Sequence, residues 1–173
     1  MKANLLINFT VDKEAKKLRV IREFAAPVKN VWAAWTESNL LDQWWAPKPW
    51  KTETKSMDFR VGGTWVYAMV GPEGEKHWCK NDFTSITPLK DFSGRDAFCD
   101  EAGNITESLP QSNWANEFSE TADSTIVNIE VSYDELSDLE KILEMGMQQG
   151  LTAALENLDA LLESQLKTAN SNV

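Results

Sequence analysis

The sequence predicts an α+β fold, in which a curved antiparallel sheet wraps on a long C-terminal helix and two short helices follow the first strands. Several stretches before residue 133 alternate apolar and polar residues, which is the period of a strand with one buried face. After residue 134, leucines recur at helical spacing and no proline interrupts them. The chain has 173 residues, no repeat and no long linker, so residues 1–173 are predicted to form a single domain.

Two strands are predicted near the N-terminus. Apolar residues alternate from Leu5 to Val11 and again from Leu18 to Phe24, and the charged segment DKEAKK between them is typical of a turn. Arg22 falls in phase with the apolar residues of the second strand, so its guanidinium is predicted to face the core. A buried guanidinium needs a carboxylate or carbonyl oxygens. We expect a structural ion pair, with an anchor for a polar ligand head group as the alternative.

Two short helices are predicted next. Pro27 stands at the first turn of a helix written VKNVWAAWTES. The second helix begins at Ser38 or Asn39 and ends near Trp45, because Pro47 forbids its continuation.

The end of this helical pair, LLDQWWAPKPW, carries three tryptophans within eleven residues. Trp44 and Trp45 are adjacent, so both cannot face inward from one turn of helix. We expect one indole to pack under the end of the sheet and the other to be partly exposed. The segment is either a structured rim with an indole at a pocket mouth or a purely structural corner.

The middle of the chain is predicted to be rich in β-structure. The stretch GGTWVYAMV reads as a strand that ends in the turn Gly-Pro-Glu-Gly, residues 71–74. Strands resume in KHWCKNDFTSI and near DFSGRDAFCD, and residues 100–112 form a polar loop. Two more antiparallel strands are predicted over residues 113–120 and 125–133.

The last predicted element is one amphipathic helix from Asp134 to about Lys167. Gly146, Gly150 and Ala154 recur every four residues along one ridge of it. Two glycines inside a helix cost about 1 kcal/mol each relative to alanine. They indicate either close backbone contact with the sheet or a missing row of side chains that leaves space for a ligand.

Composition excludes several kinds of function. The net charge of −10 opposes binding to nucleic acid. Cys79 and Cys99 lack CxxC spacing, and with His77 as the single histidine a zinc site is not expected, nor any other metal or cofactor. No stretch approaches the roughly 20 apolar residues of a membrane span, and the N-terminal apolar run is too short for a signal peptide. We therefore expect a cytoplasmic protein with reduced thiols.

Aromatic side chains are the candidate binding residues. Eight tryptophans are present, and most fall in predicted elements rather than loops. Those on the middle strands could line an apolar chamber, with indole N–H and phenol O–H groups as its polar contacts. They could equally fill the core of a sheet covered by a helix. Both interpretations predict burial.

Three segments carry a resemblance to a known family: REFAAPVKNVWAAWTESNLLDQWWAP (22–47), MDFRVGGTWVYAMVGPEGE (57–75) and EMGMQQGLTAALENLDALL (144–162). Their order and spacing resemble the helix-grip layout of the START-like superfamily, also called SRPBCC, which includes the birch-pollen-allergen-like proteins. Within it the chain is most similar to the branch of homologues of the activator of heat-shock protein 90 ATPase, which holds many small bacterial proteins.

The resemblance implies a binding module. Members of the superfamily hold lipids, sterols, polyketides and other apolar molecules between the sheet and the long helix, and the tryptophan-rich corner lies where that cavity opens. We therefore expect a small hydrophobic or aromatic ligand. The predicted cavity lining is Trp45, Trp65, Tyr67, Met69, His77, Trp78, Phe83, Phe98, Trp114, Phe118, Met147 and Gly150.

Two other functions stay open. The first is a cochaperone-like protein-interaction module, whose contact surface would be an acidic helix face; a homodimer is also open. That face comprises Glu135, Asp138, Glu144, Glu156, Asp159 and Glu163. The second is a cyclase- or hydrolase-type enzyme. His77 and Cys79 share one side of a predicted strand, but no orienting group completes a nucleophilic site, so no catalytic residue is assigned and enzymatic activity is not favoured.

Overall fold

The computed structural model describes residues 5–171 and shows one eight-stranded antiparallel sheet in the order β1-β2-β8-β7-β6-β5-β4-β3. The α+β, helix-grip prediction is confirmed. The strands are β1 (Ile7–Asp12), β2 (Lys17–Phe24), β3 (Lys51–Met57), β4 (Thr64–Val70), β5 (Lys76–Thr87), β6 (Asp91–Cys99), β7 (Ser112–Glu120) and β8 (Thr125–Tyr133).

Four helices cover the inner face of the sheet or follow it in the chain. The two short helices after the first strands are present, as predicted. The helices are α1 (Val28–Thr36), α2 (Ser38–Trp44), α3 (Leu136–Glu144) and α4 (Met147–Ser171). None of the helices within residues 5–171 is long and apolar enough to cross a membrane.

The strands β2 and β8 form the centre of the core. Every second residue of β8, from Thr125 to Tyr133, is buried, and β2 shows the same alternation in the phase of Leu18 and Phe24. The two strands pair in register, so their buried side chains lie on the same face. The leucines of α4 cover this face, Leu158 being fully buried. Period-two alternation was therefore enough to predict both strands.

The strand β3 was not predicted. Its sequence KTETKSM alternates only weakly in polarity, because it is the outer strand of the sheet and pairs on one side alone. A register shift between Thr54 and Ser56 interrupts the pairing with β4 as well. The pattern therefore lacks the apolar residues that a half-buried strand shows.

The predicted single C-terminal helix is wrong, since α3 ends at Glu144 and α4 begins at Met147. Gly146 has a φ of +93°, a backbone conformation that favours glycine, and its N–H donates to the carbonyl of Leu143. The leucine spacing continues across this break, so periodicity alone could not reveal it. Gly146 is therefore a helix terminator, and the predicted ridge of small residues on one helix loses its first member.

The edge strand β1 is less buried than its alternation suggests. Ile7 faces the same side of the sheet as the buried core but is 65% exposed, because β1 lies at the margin of the sheet.

On the outer face of the sheet, residues 100–111 fold over β6. The Thr106 N–H donates to the Phe98 carbonyl at 2.8 Å, and the backbones of Cys99 and Ile105 pair in an isolated antiparallel β-bridge. This loop explains why Cys99 is buried on the outer face.

Candidate functional site

Aromatic side chains converge between α1–α2 and the strands β4–β7. They surround a small cavity on the inner face of the sheet. Two indoles come from the helical pair, and the remaining rings come from the strands beneath. The cavity is lined by Trp35, Leu41, Trp45, Met57, Trp65, Asn81, Phe83, Phe92, Asp96, Trp114 and Asn116.

The paired tryptophans at the end of α2 take different places, as expected. Trp44 is 1% exposed and its indole N–H donates to the carbonyl of Ala34 at 2.9 Å, so it belongs to the core. Trp45 is partly exposed, and its indole N–H donates to the hydroxyl of Tyr67 at 3.0 Å. Trp45 therefore supplies a wall of the cavity that is still in reach of solvent.

The cavity is small because the rings fill most of the space. Its volume is about 20 Å³, which is room for about one water-sized group. Ring pairs in edge-to-face contact occupy the rest, for example Phe59 with Phe83 at 4.9 Å and Trp32 with Phe118 at 5.1 Å between centroids. A site for a drug-sized molecule needs a few hundred Å³. A ligand body of that size would have to displace side chains.

Unpaired polar atoms distinguish this cavity from an ordinary core. Among residues 5–171, five buried side-chain atoms lack a hydrogen-bond partner, and three of them belong to lining residues. They are the indole N–H of Trp35 and the amide oxygens of Asn81 and Asn116. Asn116 is 4% exposed, and its amide nitrogen donates to the carbonyl of Phe92 at 3.5 Å. Its free atom is therefore the oxygen.

Asn81 and Asp96 lie opposite each other on β5 and β6. The Asn81 amide oxygen occupies the space above Gly94, where an added Cβ would come within 1.9 Å of it. Burial raises the pKa of Asp96 to about 7, although hydrogen bonding from Asn81 and the charge of Arg95 act to lower it. Asp96 is thus a carboxyl group on an apolar wall that changes charge near neutral pH.

Further polar groups surround Asp96. Burial raises the pKa of Tyr67 and of Cys79, and the nearby Asp96 charge acts in the same direction. Burial likewise raises the pKa of Tyr133, against a hydrogen bond with Ser112 that lowers it. These groups stay protonated at neutral pH. A Cys79 thiol held protonated is a poor nucleophile, and no group of three potential metal ligands occurs in the described part of the chain.

The predicted lining residues separate into those at the cavity and those elsewhere. Trp45, Trp65, Phe83 and Trp114 line it. Tyr67 stacks on Trp65 with centroids 4.0 Å apart, and Phe118 stacks on Phe92 at 6.1 Å. Met69, Phe98 and Met147 are partly buried against the same core, and Gly150 lies beside Pro47.

His77 and Trp78 are not brought into the cavity. His77 is exposed at the start of β5 and packs against Trp50 at 5.4 Å. Trp78 points to the outer face, in register with Ala68 and Cys99. Strand alternation places His77 on the inner side of the sheet, but His77 is exposed because no helix among the described residues covers the start of β5. The spacing of residues in the sequence does not show where the helices stop covering a strand.

The polar residues of the site were missed. Asn116 falls in phase with Trp114 and Phe118, and Asp96 falls in phase with Phe92. A polar residue on the buried phase of a strand was a usable signal, the same one that identified Arg22. Trp35, Leu41, Met57, Asn81 and Phe92 were also missed as lining residues.

Arg22 is settled as a structural residue. It is 5% exposed, and both of its terminal nitrogens donate to the carboxylate of Asp159 on α4, one of them at 3.3 Å. The guanidinium carbon also lies 5.2 Å from the ring centre of Phe24. The predicted ion pair is present. Because Asp159 pairs with Arg22, its carboxylate points toward the sheet and does not belong to the predicted acidic face of the helix.

A curved antiparallel sheet, two short helices after its first strands and a long terminal helix over its inner face define a START-like, helix-grip domain. The family model described as "Activator of Hsp90 ATPase homolog 1-like protein" matches residues 25–163, and the chain belongs to that family.

Solved structures agree with this assignment. A protein from Arthrobacter aurescens is 31% identical, with 91% of each chain covered and a TM-score of 0.86. Protein Ms6760 from Mycobacterium smegmatis is 30% identical over 91% of this chain and 96% of that one, with a TM-score of 0.84. A Silicibacter pomeroyi protein described as AHSA1 is 20% identical over 86% of this chain and 99% of that one, with a TM-score of 0.68, and shows the fold alone. No curated protein matches the chain.

Proposed function

We propose that this chain binds a small molecule with an apolar or aromatic body and a polar head in the cavity between α1–α2 and the strands β4–β7. The observation that supports this most directly is the set of unpaired atoms on Trp35, Asn81 and Asn116 at an aromatic cavity. A ligand head group would satisfy them.

A core made only of apolar side chains would contain no such atoms. A buried polar atom without a partner costs about 1–3 kcal/mol of stability. Leucine or methionine would fill the place of Asn116 at no such cost. Retaining the amide against that cost is typical of a binding site, where stability is given up for recognition.

The cavity has room for the head group of a ligand, and movement of side chains in its wall would make room for the rest of the ligand. Of the apolar lining side chains, Trp45 and Met57 are partly exposed. Trp45 is held by one side-chain hydrogen bond, to Tyr67, and a methionine side chain adapts readily to a new shape. Movement of these two side chains would open the volume between Trp35 and Trp65 to an aromatic body.

Tryptophan fluorescence tests the proposal, because indoles line the cavity. The protein is titrated with a library of lipids, flavonoids, polyketides and small aromatic compounds, and hits are checked by native mass spectrometry. We expect saturable binding of one equivalent, and Asn116→Leu should weaken it at least about tenfold. Asn113→Leu, on the exposed side of the same strand, is the matched control and should bind as the original chain does. Silence across the library, or equal binding by both variants, contradicts the proposal.

The other functions have less support. A protein-interaction role has the family description and the exposed acidic residues of α3 and α4 in its favour, but Asp159 is turned toward Arg22. Nucleophilic catalysis is disfavoured by the protonated Cys79 thiol and by the position of His77 outside the cavity. A cytoplasmic location stays a prediction.

A further inference from the structure

We infer that the head group held in the cavity is a cation, namely a protonated primary amine on an aromatic or alkyl body. This inference rests on the proposed small-molecule site and names the chemical class of its ligand. It follows from the hydrogen-bonding capacity, the aromatic faces and the charge of the lining residues.

The free hydrogen-bonding capacity of the cavity is dominated by acceptors. The amide nitrogen of Asn116 faces the Phe92 carbonyl, and the Asn81 amide interacts with the Asp96 carboxyl, so both amide oxygens are left free. Ionised Asp96 is a third acceptor. A primary ammonium carries three donors and no acceptor, which matches this set. The indole N–H of Trp35 remains for a ligand oxygen beside the amine.

The walls favour a positive charge for a second reason. Six aromatic rings line the cavity, and the faces of indole and benzene rings attract cations. This attraction is strongest when the cation is removed from water, as it would be here. The six rings belong to Trp35, Trp45, Trp65, Phe83, Phe92 and Trp114.

Charge gives the third reason. The lining contains one ionisable residue, Asp96, and no lysine, arginine or histidine. An anionic head group would meet the Asp96 carboxyl with a single free donor, on Trp35, to compensate it. The chain as a whole carries a net charge of −10, which attracts cations toward the protein surface.

Ammonium binding should also draw a proton from Asp96, whose pKa of about 7 leaves it largely protonated at pH 6. The other ionisable groups near it do not change charge in this range: burial keeps Tyr67, Cys79, Cys99 and Tyr133 protonated, and Arg95 pairs with Asp134 at 2.8 Å. Asp82 acts on Asp96 as a nearby negative charge. Affinity for an amine should therefore fall about tenfold from pH 8 to pH 6.

Calorimetric titration with three probes of one body tests the inference: phenethylamine, 2-phenylethanol and phenylacetate. At pH 8 we expect phenethylamine to bind at least about tenfold more tightly than the alcohol, and phenylacetate most weakly. Asp96→Asn should remove the amine preference and its pH dependence. Asp91→Asn, on the opposite face of the same strand, is the control and should keep both.

Each outcome separates the two proposals. Equal or tighter binding of 2-phenylethanol or phenylacetate overturns the cation inference and leaves the small-molecule site standing. An amine preference that survives Asp96→Asn also overturns it. Failure of all three probes, when a neutral compound from the library binds and Asn116→Leu weakens it, overturns the cation inference alone. Failure of probes and library together removes both proposals.

Discussion

The two halves of the inner sheet face bury their polar groups in different ways. Under α4, the buried charge of Arg22 is paired with Asp159, and the hydroxyl of Thr125 donates to the Ala26 carbonyl at 2.8 Å. Under α1–α2, the amide oxygens of Asn81 and Asn116 have no hydrogen-bond partner within residues 5–171. Among the residues that the structure describes, the first half keeps one unpaired buried atom, the amide oxygen of Gln165 on α4, whereas the second keeps three of them around a cavity. The proposed binding site accounts for this departure.

The largest difference between the halves should be seen with Asp96→Asn. The folded-state pKa of Asp96 is about 7 against 3.8 for an ordinary aspartate, so the folded state binds the proton more tightly than the unfolded state does. Wild-type stability should fall as pH rises from about 4 to about 7, and then level off. The variant lacks this loss and should be more stable at pH 8 by up to about 4 kcal/mol.

Urea unfolding of both proteins at pH 5 and pH 8 measures this gain. Asp91→Asn serves as the control for the change of a carboxyl group to an amide on the same strand. A gain that is the same at pH 5 and pH 8 would contradict the raised pKa of Asp96.

In the other half, Arg22→Ala should destabilise the fold by about 3 kcal/mol, because it leaves Asp159 without its partner. Asp159 is 20% exposed, which places the loss at the lower end for a buried pair. The double variant Arg22→Met, Asp159→Leu should recover most of this loss. Ligand binding should be unaffected in both, and a loss of binding in a variant that remains folded would show that the halves are coupled.

Asn116→Leu should do the opposite of a core substitution and raise the free energy of unfolding by about 1 kcal/mol, because it removes an unpaired buried oxygen. Chemical denaturation measures the change, with Asn113→Leu as the exposed control. Destabilisation by more than about 1 kcal/mol would mean that the amide supports the core and that the two halves do not differ.

The smallest effects concern two glycines that the sequence placed on one ridge. Gly146→Ala should destabilise by about 1 kcal/mol, since its φ of +93° strains any L-residue. Gly150→Ala should stabilise by about 0.5 kcal/mol, because it lies inside α4 and a Cβ would meet Pro47 at an ordinary 3.8 Å. Thermal unfolding distinguishes them. A change in stability of the same sign for both substitutions would indicate that Gly146 and Gly150 lie in one continuous helix.

The sequence was most informative where burial follows a regular period. Alternation on β2 and β8 identified both strands and the inward position of Arg22, because each of them pairs with a neighbour on both sides and has one buried face. Alternation failed to show β3, which is polar and lies at an edge. Leucine spacing could not reveal the break at Gly146, since the backbone turns there without a change in the apolar pattern.

The candidate site was only half predictable for a related reason. Tryptophans at inward positions, such as Trp65 and Trp114, predicted the walls, because large aromatic residues in strands are buried. Whether the space between them is open depends on how the rings pack, and that is not a property of any one position. Asn116 and Asp96 were visible as polar residues in a buried phase, yet the unpaired oxygen of Asn116 and the raised pKa of Asp96 required the structure.

A crystal structure of the protein with the tightest ligand from the fluorescence titration decides between a binding site and a core. We expect the ligand between α2 and β4–β7, with a polar atom about 3 Å from the amide oxygen of Asn116 and the Trp45 indole moved from its place beside Tyr67. A ligand bound elsewhere, with the rings around Trp35 unmoved and the Asn116 oxygen still unpaired, would show that the aromatic half is a core like its neighbour.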